Sequence, residues 1–367
     1  MYLRHPPKHA ATNMMRLSFL FTVLAAALNA GTLFLPAYPN AVIVFDEAKG
    51  EIVDRIPLVT GTPMSIRLSP DHSKIYVSTI DHSGIEVIDV ATRKVINHFV
   101  LNTPTKQFRF RGGAVDSTGK FFYTVTKEID QLPEHFEVDK LKYTVIDLAE
   151  HKIVKTADLS KEDEGTSRFA FEVSSDGKYL YQLGSKIKIL QTSDFKVVDE
   201  LDLAQPDGGG MENVRLGADL DLISQPGSHT SLFVSSDPIV HNRVFGLARL
   251  DLATRQVNYN PIGPAPSGMA GLQVTPDKKL AYTVVTNGSI ANKSCEFWGF
   301  DLATDRLTQK AAVPCRNRFS FAMSSDGKKL YIYGAGFEIE VYDATTFKLE
   351  KTWDLHNDVT GGIAVLP

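Results

Sequence analysis

A short phrase occurs seven times along this chain, and that repetition limits the fold more than any other feature. In its consensus form the phrase reads apolar residue, Asp, any residue, Ala-Thr, any residue, Lys, and an alternating apolar–polar segment follows. Its copies start at Phe45, Ile88, Ile146, Leu190, Leu250, Phe300 and Tyr342. A second phrase, close to Ser-Ser-Asp-Gly-Lys, precedes an aromatic-rich segment. Its copies start at Ser69, Asp116, Ser174, Thr275 and Ser324, with a degenerate copy from Gln225.

Both phrases place turn-forming residues between segments of period-two alternation, which is the pattern of a β-hairpin. Two hairpins per repeat give four antiparallel strands. The first phrase recurs every 42 to 60 residues, near the roughly 40 to 50 of a propeller blade. Such a sheet is apolar on both faces and needs a neighbour on each side, which radial repetition supplies. The sequence therefore predicts an all-β fold, a seven-bladed β-propeller of four-stranded antiparallel blades. A two-domain β-sandwich is the alternative, but its repeats would be fewer and less regular.

The two ends of the chain are predicted to share one blade. The segment Thr360–Pro367 resembles an innermost strand, and Gly31–Tyr38 with Ala41–Leu58 supplies the other three strands. Closure by both termini removes an exposed sheet edge. We therefore predict a single propeller domain over residues 31–367.

The first thirty residues are predicted to be a signal peptide. Basic residues precede an apolar run, Leu17–Leu28, and small residues accompany and follow its end, which is the order of a secretory signal. The run is shorter than the ~20 residues that a bilayer crossing needs. The sequence thus predicts a periplasmic or secreted protein with no transmembrane anchor beyond residues 1–30; a membrane anchor in that segment is the alternative.

The two cysteines are predicted to form a disulfide. The hairpin that follows Phe300 brings Cys295 opposite Pro314, next to Cys315, and an oxidising compartment favours the bond. The chain has no Cys-x-x-Cys-His and no Cys-x-x-Cys pair, so we expect no haem c, zinc or redox site in it. Trp298 lies three residues after Cys295 and should face the opposite side of the sheet, which argues against a Cys–Trp crosslink.

One face of the ring is predicted to bind ligands or partners. Loops between second and third strands share this top face with the connections between blades, and long insertions on one side mark a binding face. The longer loops are predicted at Lys127–Lys140, Asp237–Arg243 and Thr286–Ser294, with a glycine-rich blade connection at Ala204–Asn213. Loops on the opposite face are predicted to be short turns.

Several arginines fall near the starts of innermost strands, at the mouth of the central channel. They are Arg109, Arg111, Arg168, Arg215 and Arg318. Together their guanidinium groups would attract carboxylates, phosphates or an acidic partner surface; alternatively, each caps carbonyls or pairs with a nearby acid. Four further polar residues are predicted in top-face loops, namely His82, His135, Asp237 and His241. Solvated loop histidines are the default interpretation of this set.

No catalytic residue can be assigned from the sequence. Glu172, Asn213 and Asp237 could be offered as the acids and amide of a calcium-dependent lactonase, but no distinctive motif supports that set, and we predict no metal site. A formal net charge of -4 without a long basic run argues against nucleic-acid binding.

The two repeat phrases resemble those of the YVTN-type bacterial propellers over nearly all of residues 31–367. The segment Phe108–Leu148 and the final copies of both phrases also resemble the propeller (β) chain of quinohemoprotein amine dehydrogenase. That resemblance implies a periplasmic complex with a dihaem cytochrome subunit and a small subunit that carries a cysteine tryptophylquinone. The propeller would contribute a wall of the active-site cleft and position its partners, while cofactors and chemistry belong to the other chains.

Three functions therefore compete. The first is a non-catalytic propeller subunit of an amine-oxidising complex. The second is a free-standing ligand- or protein-binding propeller of the cell envelope, and the third is a metal-dependent, lactonase-like hydrolase. Fold alone does not decide between them, because propellers have many unrelated functions.

Overall fold

The computed structural model describes residues 31–367, apart from 82, 167–168, 185, 204–211, 217–224, 237–241, 290–291, 317 and 335, and apart from the side chains of 212, 213 and 215. The described residues form 29 strands in seven antiparallel sheets, which confirms the predicted seven-bladed propeller. In the part of the chain that the structure describes, there is no helix with the length and hydrophobicity that a bilayer crossing requires.

The blades are numbered here along the chain, and each is given with its strands. Blade 1 has β1 (Thr32–Ala37), β2 (Ala41–Asp46), β3 (Glu51–Pro57) and β29 (Ala364–Leu366). Blade 2 has β4 (Pro63–Leu68), β5 (Lys74–Thr79), β6 (Gly84–Asp89) and β7 (Lys94–Val100). Blade 3 has β8 (Lys106–Val115), β9 (Phe121–Gln131), β10 (Phe136–Asp147) and β11 (Lys152–Asp158). Blade 4 has β12 (Ala170–Val173), β13 (Tyr179–Leu183), β14 (Lys186–Gln191) and β15 (Val197–Asp202).

The remaining blades follow the same order. Blade 5 has β16 (Glu212–Leu216), β17 (Ser228–Ser236), β18 (Arg243–Asp251) and β19 (Gln256–Pro264). Blade 6 has an interrupted innermost strand, β20 (Gly268–Met269) and β21 (Gln273–Val274), then β22 (Leu280–Asn287), β23 (Ser294–Asp301) and β24 (Arg306–Val313). Blade 7 has β25 (Ser320–Met323), β26 (Lys329–Tyr333), β27 (Glu338–Asp343) and β28 (Leu349–Asp354).

Position within a blade explains the composition of each strand. The second and third strands lie between two neighbouring blades, so β2 is buried on both faces at its four central residues. The outermost strand has solvent beside it, and β11 alternates exposed and half-buried residues along its whole length. This difference is why the sequence shows apolar runs inside each repeat and clean alternation after each Asp-x-Ala-Thr phrase.

The first phrase makes the same turn in every blade. Its sixth residue has a left-handed φ, between 53° and 68°, in all seven copies, from Gly50 to Phe347. The Asp of the phrase accepts backbone hydrogen bonds inside the turn; Asp301 Oδ1, for example, is 2.8 Å from Thr304 N. A type I turn followed by a left-handed residue is a common hairpin connection, so the recurrence in sequence is a recurrence of turn geometry.

Blade 1 closes the ring, as predicted. Its strand order is β29-β1-β2-β3, and Phe34 of β1 pairs with Ala364 of β29. Seven apolar clusters, one between each pair of neighbouring blades, continue around the circle. The cluster between blades 7 and 1 includes Phe45 and Trp353, whose ring centroids are 4.6 Å apart. The ring is therefore held together by side-chain packing between blades and by backbone pairing at the closure.

Candidate functional site

The upper face of the ring carries the connections from second to third strands and the connections between blades. Contacts show that the two kinds of connection meet there. Thr62 N, between blades 1 and 2, donates to Asp81 Oδ2 in the β5–β6 loop at 2.5 Å. Asn357 Nδ2, between β28 and β29, donates to Tyr38 O in the β1–β2 loop at 2.6 Å. The upper-face loops are thus bonded to one another across blades.

The lower face carries the turns of both repeat phrases, with one exception. The connection between β16 and β17 runs from 217 to 227, which is longer than the short turns that the sequence predicts there. The prediction missed it because the Ser-Asp-Gly-Lys phrase is degenerate in this repeat, leaving no turn signal to locate. Of this connection the structure describes residues 225–227.

Blade 3 extends above its neighbours. Its strands β9 and β10 have 11 and 12 residues, against five and six in β13 and β14 of blade 4. The predicted loop at Lys127–Lys140 is therefore wrong: Phe136 pairs with Gln131 and Val138 with Ile129, so only 132–135 form the loop.

Large apolar side chains project from the upper face of four consecutive blades, from blade 7 through blades 1 and 2 to blade 3. We call this set the apolar arc. Its members are Phe337, Tyr38, Val59, Ile80, Leu132, Phe136 and Val138, each between 38% and 67% exposed. The described upper-face connections of blades 4 to 6 contribute no exposed large apolar residue. Among the described residues of this face, the exposed large apolar side chains of the connections thus lie on one side of the ring.

The basic residues of the upper-face connections are also distributed unevenly around the ring. The connections around the arc contain no Lys or Arg and three acids, Asp81, Glu134 and Asp358; these connections are 38–40, 58–62, 80–83, 101–105, 132–135, 334–337 and 355–363. The basic residues of upper-face connections lie in the rest of the circle, at Lys161, Arg168, Lys293, Arg316 and Arg318. The connections around the arc therefore lack basic residues, whereas the extended strands of blade 3 beside them carry charges of both signs.

A buried carboxylate fixes the loop that presents Val59. Glu86 of β6 is fully buried, and its Oε1 accepts hydrogen bonds from Val59 N at 2.8 Å and Thr60 N at 2.7 Å. Thr60 Oγ1 also donates to the same oxygen, at 2.8 Å. Charge-assisted bonds of this kind are stronger than neutral ones. The backbone beside Val59 is therefore held in one conformation.

Of the predicted arginines, two bind loop backbone. Arg109 Nη1 donates to Ile80 O at 3.2 Å, and its Nη2 donates to Gln107 Oε1 at 3.1 Å. Arg111 Nη1 donates to Thr166 O at 3.1 Å. These contacts correspond to the carbonyl-capping alternative. They tie β8 to blade 2 on one side and to the connection between blades 3 and 4 on the other.

Of the other predicted site residues, the structure describes only Arg318 and His135 in full. Arg318 lies in the connection between blades 6 and 7 and is exposed, and His135 is exposed at the tip of the β9–β10 hairpin. Arg168, His82, Asp237 and His241 lie outside the described residues, as does the side chain of Arg215. Whether the five arginines or the loop histidines converge therefore stays a prediction.

A buried polar network, which the sequence analysis missed, holds the connection between blades 3 and 4. Lys188 Nζ is 2.8 Å from Asp163 Oδ2, and both side chains are less than 10% exposed. Gln182 Nε2 donates to Asp163 Oδ1 at 3.0 Å, and Tyr143 OH donates to Gln182 Oε1 at 2.5 Å. Burial lowers the pKa of Lys188, but the bonds to Asp163 and Glu162 outweigh it, so the pKa is raised overall.

The signal for this network was present but ambiguous. Lys186 and Lys188 alternate with Ile187 and Ile189, a pattern that is typical of a strand with one solvated face. Because β14 is a third strand and lies between two blades, the side chain of Lys188 is buried instead. The acid that satisfies it comes from a loop 25 residues earlier, and single-sequence reasoning has no means of pairing the two.

The predicted disulfide is confirmed. Cys295 and Cys315 are bonded, with their Cα atoms 5.2 Å apart. Cys295 pairs with Val313 rather than with Pro314, because the turn places Asp301 opposite Arg306 and the bulge between Gly299 and Phe300 makes up only part of the difference. Cys295 packs in the cluster between blades 6 and 7 and Trp298 in the cluster between blades 5 and 6, as their spacing predicts.

The residues offered for a calcium site do not form one in the described part of the molecule. Glu172 lies toward the lower face, where its Oε2 is 2.8 Å from His229 Nε2 and its Oε1 accepts a bond from Gly227 N. The side chain of Asn213 and all of Asp237 lie outside the described residues. No group of three or more potential metal ligands occurs among the residues that are described.

A small hollow opens beside blade 7, close to the basic part of the upper face. Arg316 and Glu340 line it and form an ion pair, and Tyr342 OH donates to the other oxygen of Glu340 at 2.9 Å. Lys293 Nζ donates to Arg316 O at 2.8 Å. Arg316 and Glu340 are already paired with each other, and we assign no ligand to this hollow.

Comparison with known proteins gives the fold and no family. No protein-family model and no curated protein matches the chain. A functionally unknown protein from Desulfotomaculum acetoxidans DSM 771 has a TM-score of 0.54 at 13% identity, covering 92% of this chain and 99% of that one. The dihydro-heme d1 dehydrogenase NirN in complex with DHE has a TM-score of 0.52 at 16% identity, covering 92% and 75%.

A third structure is the β-propeller domain of Myceliophteria thermophila Cps50 (Swd1). Its TM-score is 0.53 at 10% identity, covering 83% of this chain and 91% of that one. At such identities the likeness is one of architecture. By its own topology and by these comparisons, the chain is a β-propeller.

Proposed function

We propose that this chain is an exported, non-catalytic propeller that binds a partner protein over its apolar arc. In its specific form, the proposal makes the chain the propeller subunit of an amine-oxidising complex with a small quinone-bearing subunit and a dihaem cytochrome. The observation that carries the proposal is the arc itself: seven exposed large apolar side chains on four consecutive blades, all on one face.

The composition of the arc is that of a protein interface. Interface cores are enriched in aromatic residues and depleted in charge, and large exposed apolar patches on one face mark binding surfaces. The arc contributes Tyr38, Phe136 and Phe337, while its connections contain no Lys or Arg. The strands of the extended hairpin add charged residues such as Glu128 and Glu137 beside the arc, and an apolar patch with a polar rim fits a protein surface.

The loops of the arc are fixed before any partner arrives. Val59 is held by Glu86, and Ile80 is held by Arg109. A pre-ordered surface loses less conformational entropy on association. This supports a stable subunit contact rather than a surface that folds on binding.

The resemblance to the amine dehydrogenase propeller chain rests on the segment that builds blade 3. Phe108–Leu148 covers nearly all of β8, β9 and β10, and its extended hairpin presents Phe136 and Val138. The most distinctive part of the resemblance and the most prominent part of the arc are therefore the same structure. Export is supported separately by the disulfide, which oxidising compartments favour.

The test is purification of the exported protein from its native host under gentle conditions, with the accompanying chains identified. We expect a haem-containing cytochrome and a small chain that stains for quinone. The double variant Phe136→Ser, Val138→Ser should lose these partners, with affinity reduced at least tenfold, because central apolar interface residues each contribute about 2 kcal/mol.

A matched control is the double variant Ile96→Ser, Val154→Ser. These residues are comparably exposed, at 54% and 44%, but lie on the outermost strands β7 and β11. Partner retention by the control and loss by the hairpin variant would support the proposal. A clean monomer from the native host, or equal behaviour of the two variants, would refute it.

A further inference from the structure

A carboxylate on the lower side of the closing blade meets the start of the propeller domain. Glu47 follows β2, and its Oε1 accepts a hydrogen bond from Tyr331 OH at 2.5 Å. Its Oε2 accepts one from Gly31 N at 2.7 Å. Tyr331 belongs to blade 7 and is 1% exposed, so Glu47 connects the first described residue of blade 1 to the last blade in the chain.

The lysines near Glu47 are paired with other acids: Lys49 Nζ is 3.6 Å from Asp46 Oδ2, and Lys328 Nζ is 3.2 Å from Asp326 Oδ2. Within the described part of the chain Glu47 makes no ion pair, and the nearby charges that act on it are Asp326 and Asp46. The pKa of Glu47 is raised, mainly by burial and further by these two acids. The hydrogen bonds from Tyr331 and Gly31 oppose this shift but do not cancel it. A partly buried carboxylate with no ion-pair partner of its own would be stabilised by a positive charge at the position of either donor.

The sequence offers one such charge. The apolar run Leu17–Leu28 is followed by Asn29, Ala30 and Gly31, and Ala30 is a small residue of the kind that directly precedes a signal-peptide cut. Hydrolysis of the Ala30–Gly31 peptide bond by a signal peptidase consumes one water and leaves a carboxylate on Ala30 and an amine on Gly31. An α-amino group has a pKa near 8 and is protonated at neutral pH.

We propose that export processing cuts the chain after Ala30, and that the new α-ammonium group of Gly31 binds the carboxylate of Glu47. The mature N-terminus then acts as the counterion of Glu47 and as a clasp between blades 1 and 7. The site accepts only glycine at this position. A Cβ on residue 31 would lie 2.5 Å from Ser325 Oγ and 2.6 Å from Leu366 O, which is closer than real Cβ contacts.

This inference rests on the export part of the proposed function and is independent of its partner. The first experiment is intact-mass measurement and N-terminal sequencing of the exported protein. We expect the chain to begin at Gly31. Failure of export would refute the proposed function as well, whereas an exported chain that begins elsewhere, for example at Leu28, would overturn only the clasp.

The second experiment measures the reactivity of the α-amine toward an N-hydroxysuccinimide ester at pH 7, read by mass spectrometry of the N-terminal peptide. Each unit of pKa elevation by the carboxylate lowers the reactive neutral fraction tenfold. The variant Glu47→Gln keeps one oxygen that can accept from Gly31, and its amide NH2 can donate to Tyr331 OH, so it should fold, but it should react at least tenfold faster. The control Glu51→Gln removes an exposed carboxylate of the same blade and should react like the parent protein.

Equal rates in the parent protein and Glu47→Gln would overturn the ion pair even if cleavage occurs at Gly31. A faster reaction in Glu51→Gln of the same size would also overturn it, because the effect would then belong to the general charge of the blade.

Discussion

Replacing Lys188 with Met tests whether the connection between blades 3 and 4 depends on a buried ion pair. The ammonium group of Lys188 bonds to Asp163 at 2.8 Å and to Glu162 at 3.1 Å. Methionine has a similar length and would fill the space without the charge. Asp163 would keep hydrogen bonds from Ser160 and Gln182 but would lose its only cationic partner among the described residues.

The expected cost follows from burial. Breaking a buried pair by removing one partner costs about 3 to 5 kcal/mol, because an uncompensated charge remains inside. Asp163 keeps two donors, so the lower end applies, and we expect a loss of about 3 kcal/mol in the free energy of unfolding. The contact with Glu162, whose side chain is 59% exposed, should add little, since exposed pairs contribute about 0 to 1 kcal/mol.

The assay is urea denaturation followed by fluorescence, with hydrogen exchange of residues 159–166 as a local measurement. Lys186→Met is the matched control: it lies two residues away on β14 and pairs with Glu200 at 2.8 Å, but is 33% exposed. It should cost less than about 1 kcal/mol. Adding Asp163→Asn to Lys188→Met should recover part of the loss. Equal effects of the two lysine variants would refute the argument from burial.

Three further predictions concern stability. The double variant Cys295→Ser, Cys315→Ser opens a loop with a sequence separation of 20 and should lower the free energy of unfolding by about 3 kcal/mol, measured by urea titration against the oxidised parent. Gly112→Ala should lower it by at least about 2 kcal/mol, because residue 112 has φ near 88° and a Cβ would collide with Phe169 O; an unchanged midpoint would contradict the positive φ. Bonds from Thr304 lower the pKa of Asp301, so its contribution is present above the unfolded pKa near 4 and lost as pH falls through the folded value. The urea midpoint should therefore fall on acidification, and less so in Asp301→Asn.

The fold could be predicted because the repeat phrases are turns, and turns are local. Asp301 and the left-handed residue Asp305 determine a hairpin from six consecutive residues, and the same solution recurs in each blade. The disulfide could be predicted for the same reason, since Cys295 and Cys315 belong to one hairpin. The error of one residue in register came from the exact closure of the turn, which pairs Asp301 with Arg306, and a bulge at Gly299 recovers only part of the difference.

The candidate site was less accessible to prediction, because it depends on contacts between blades. The segment Lys127–Lys140 contains Pro133 and many charges, so it was interpreted as a loop, although β9 and β10 continue to Gln131 and from Phe136. The partners of Arg109 and Arg111 lie in blade 2 and in the connection to blade 4, and no spacing rule connects them. Exposure of Phe136 and Val138 could not be anticipated either, since alternation predicts a buried face wherever it continues.

The division of polar and apolar groups on the upper face favours a surface that is covered by another protein. Many of its charged groups already have partners: Glu86 holds a loop, Arg109 caps carbonyls, and Asp163 is paired with Lys188. Groups used in this way support the geometry of the loops and are poorly placed to move protons or hold an ion. The exposed large apolar side chains described in the connections and the extended hairpin of this face lie together on four blades. Burial of apolar area stabilises a complex by about 25 cal/mol per Å² before the costs of association, so the arc is the part of this face with most to gain from a partner.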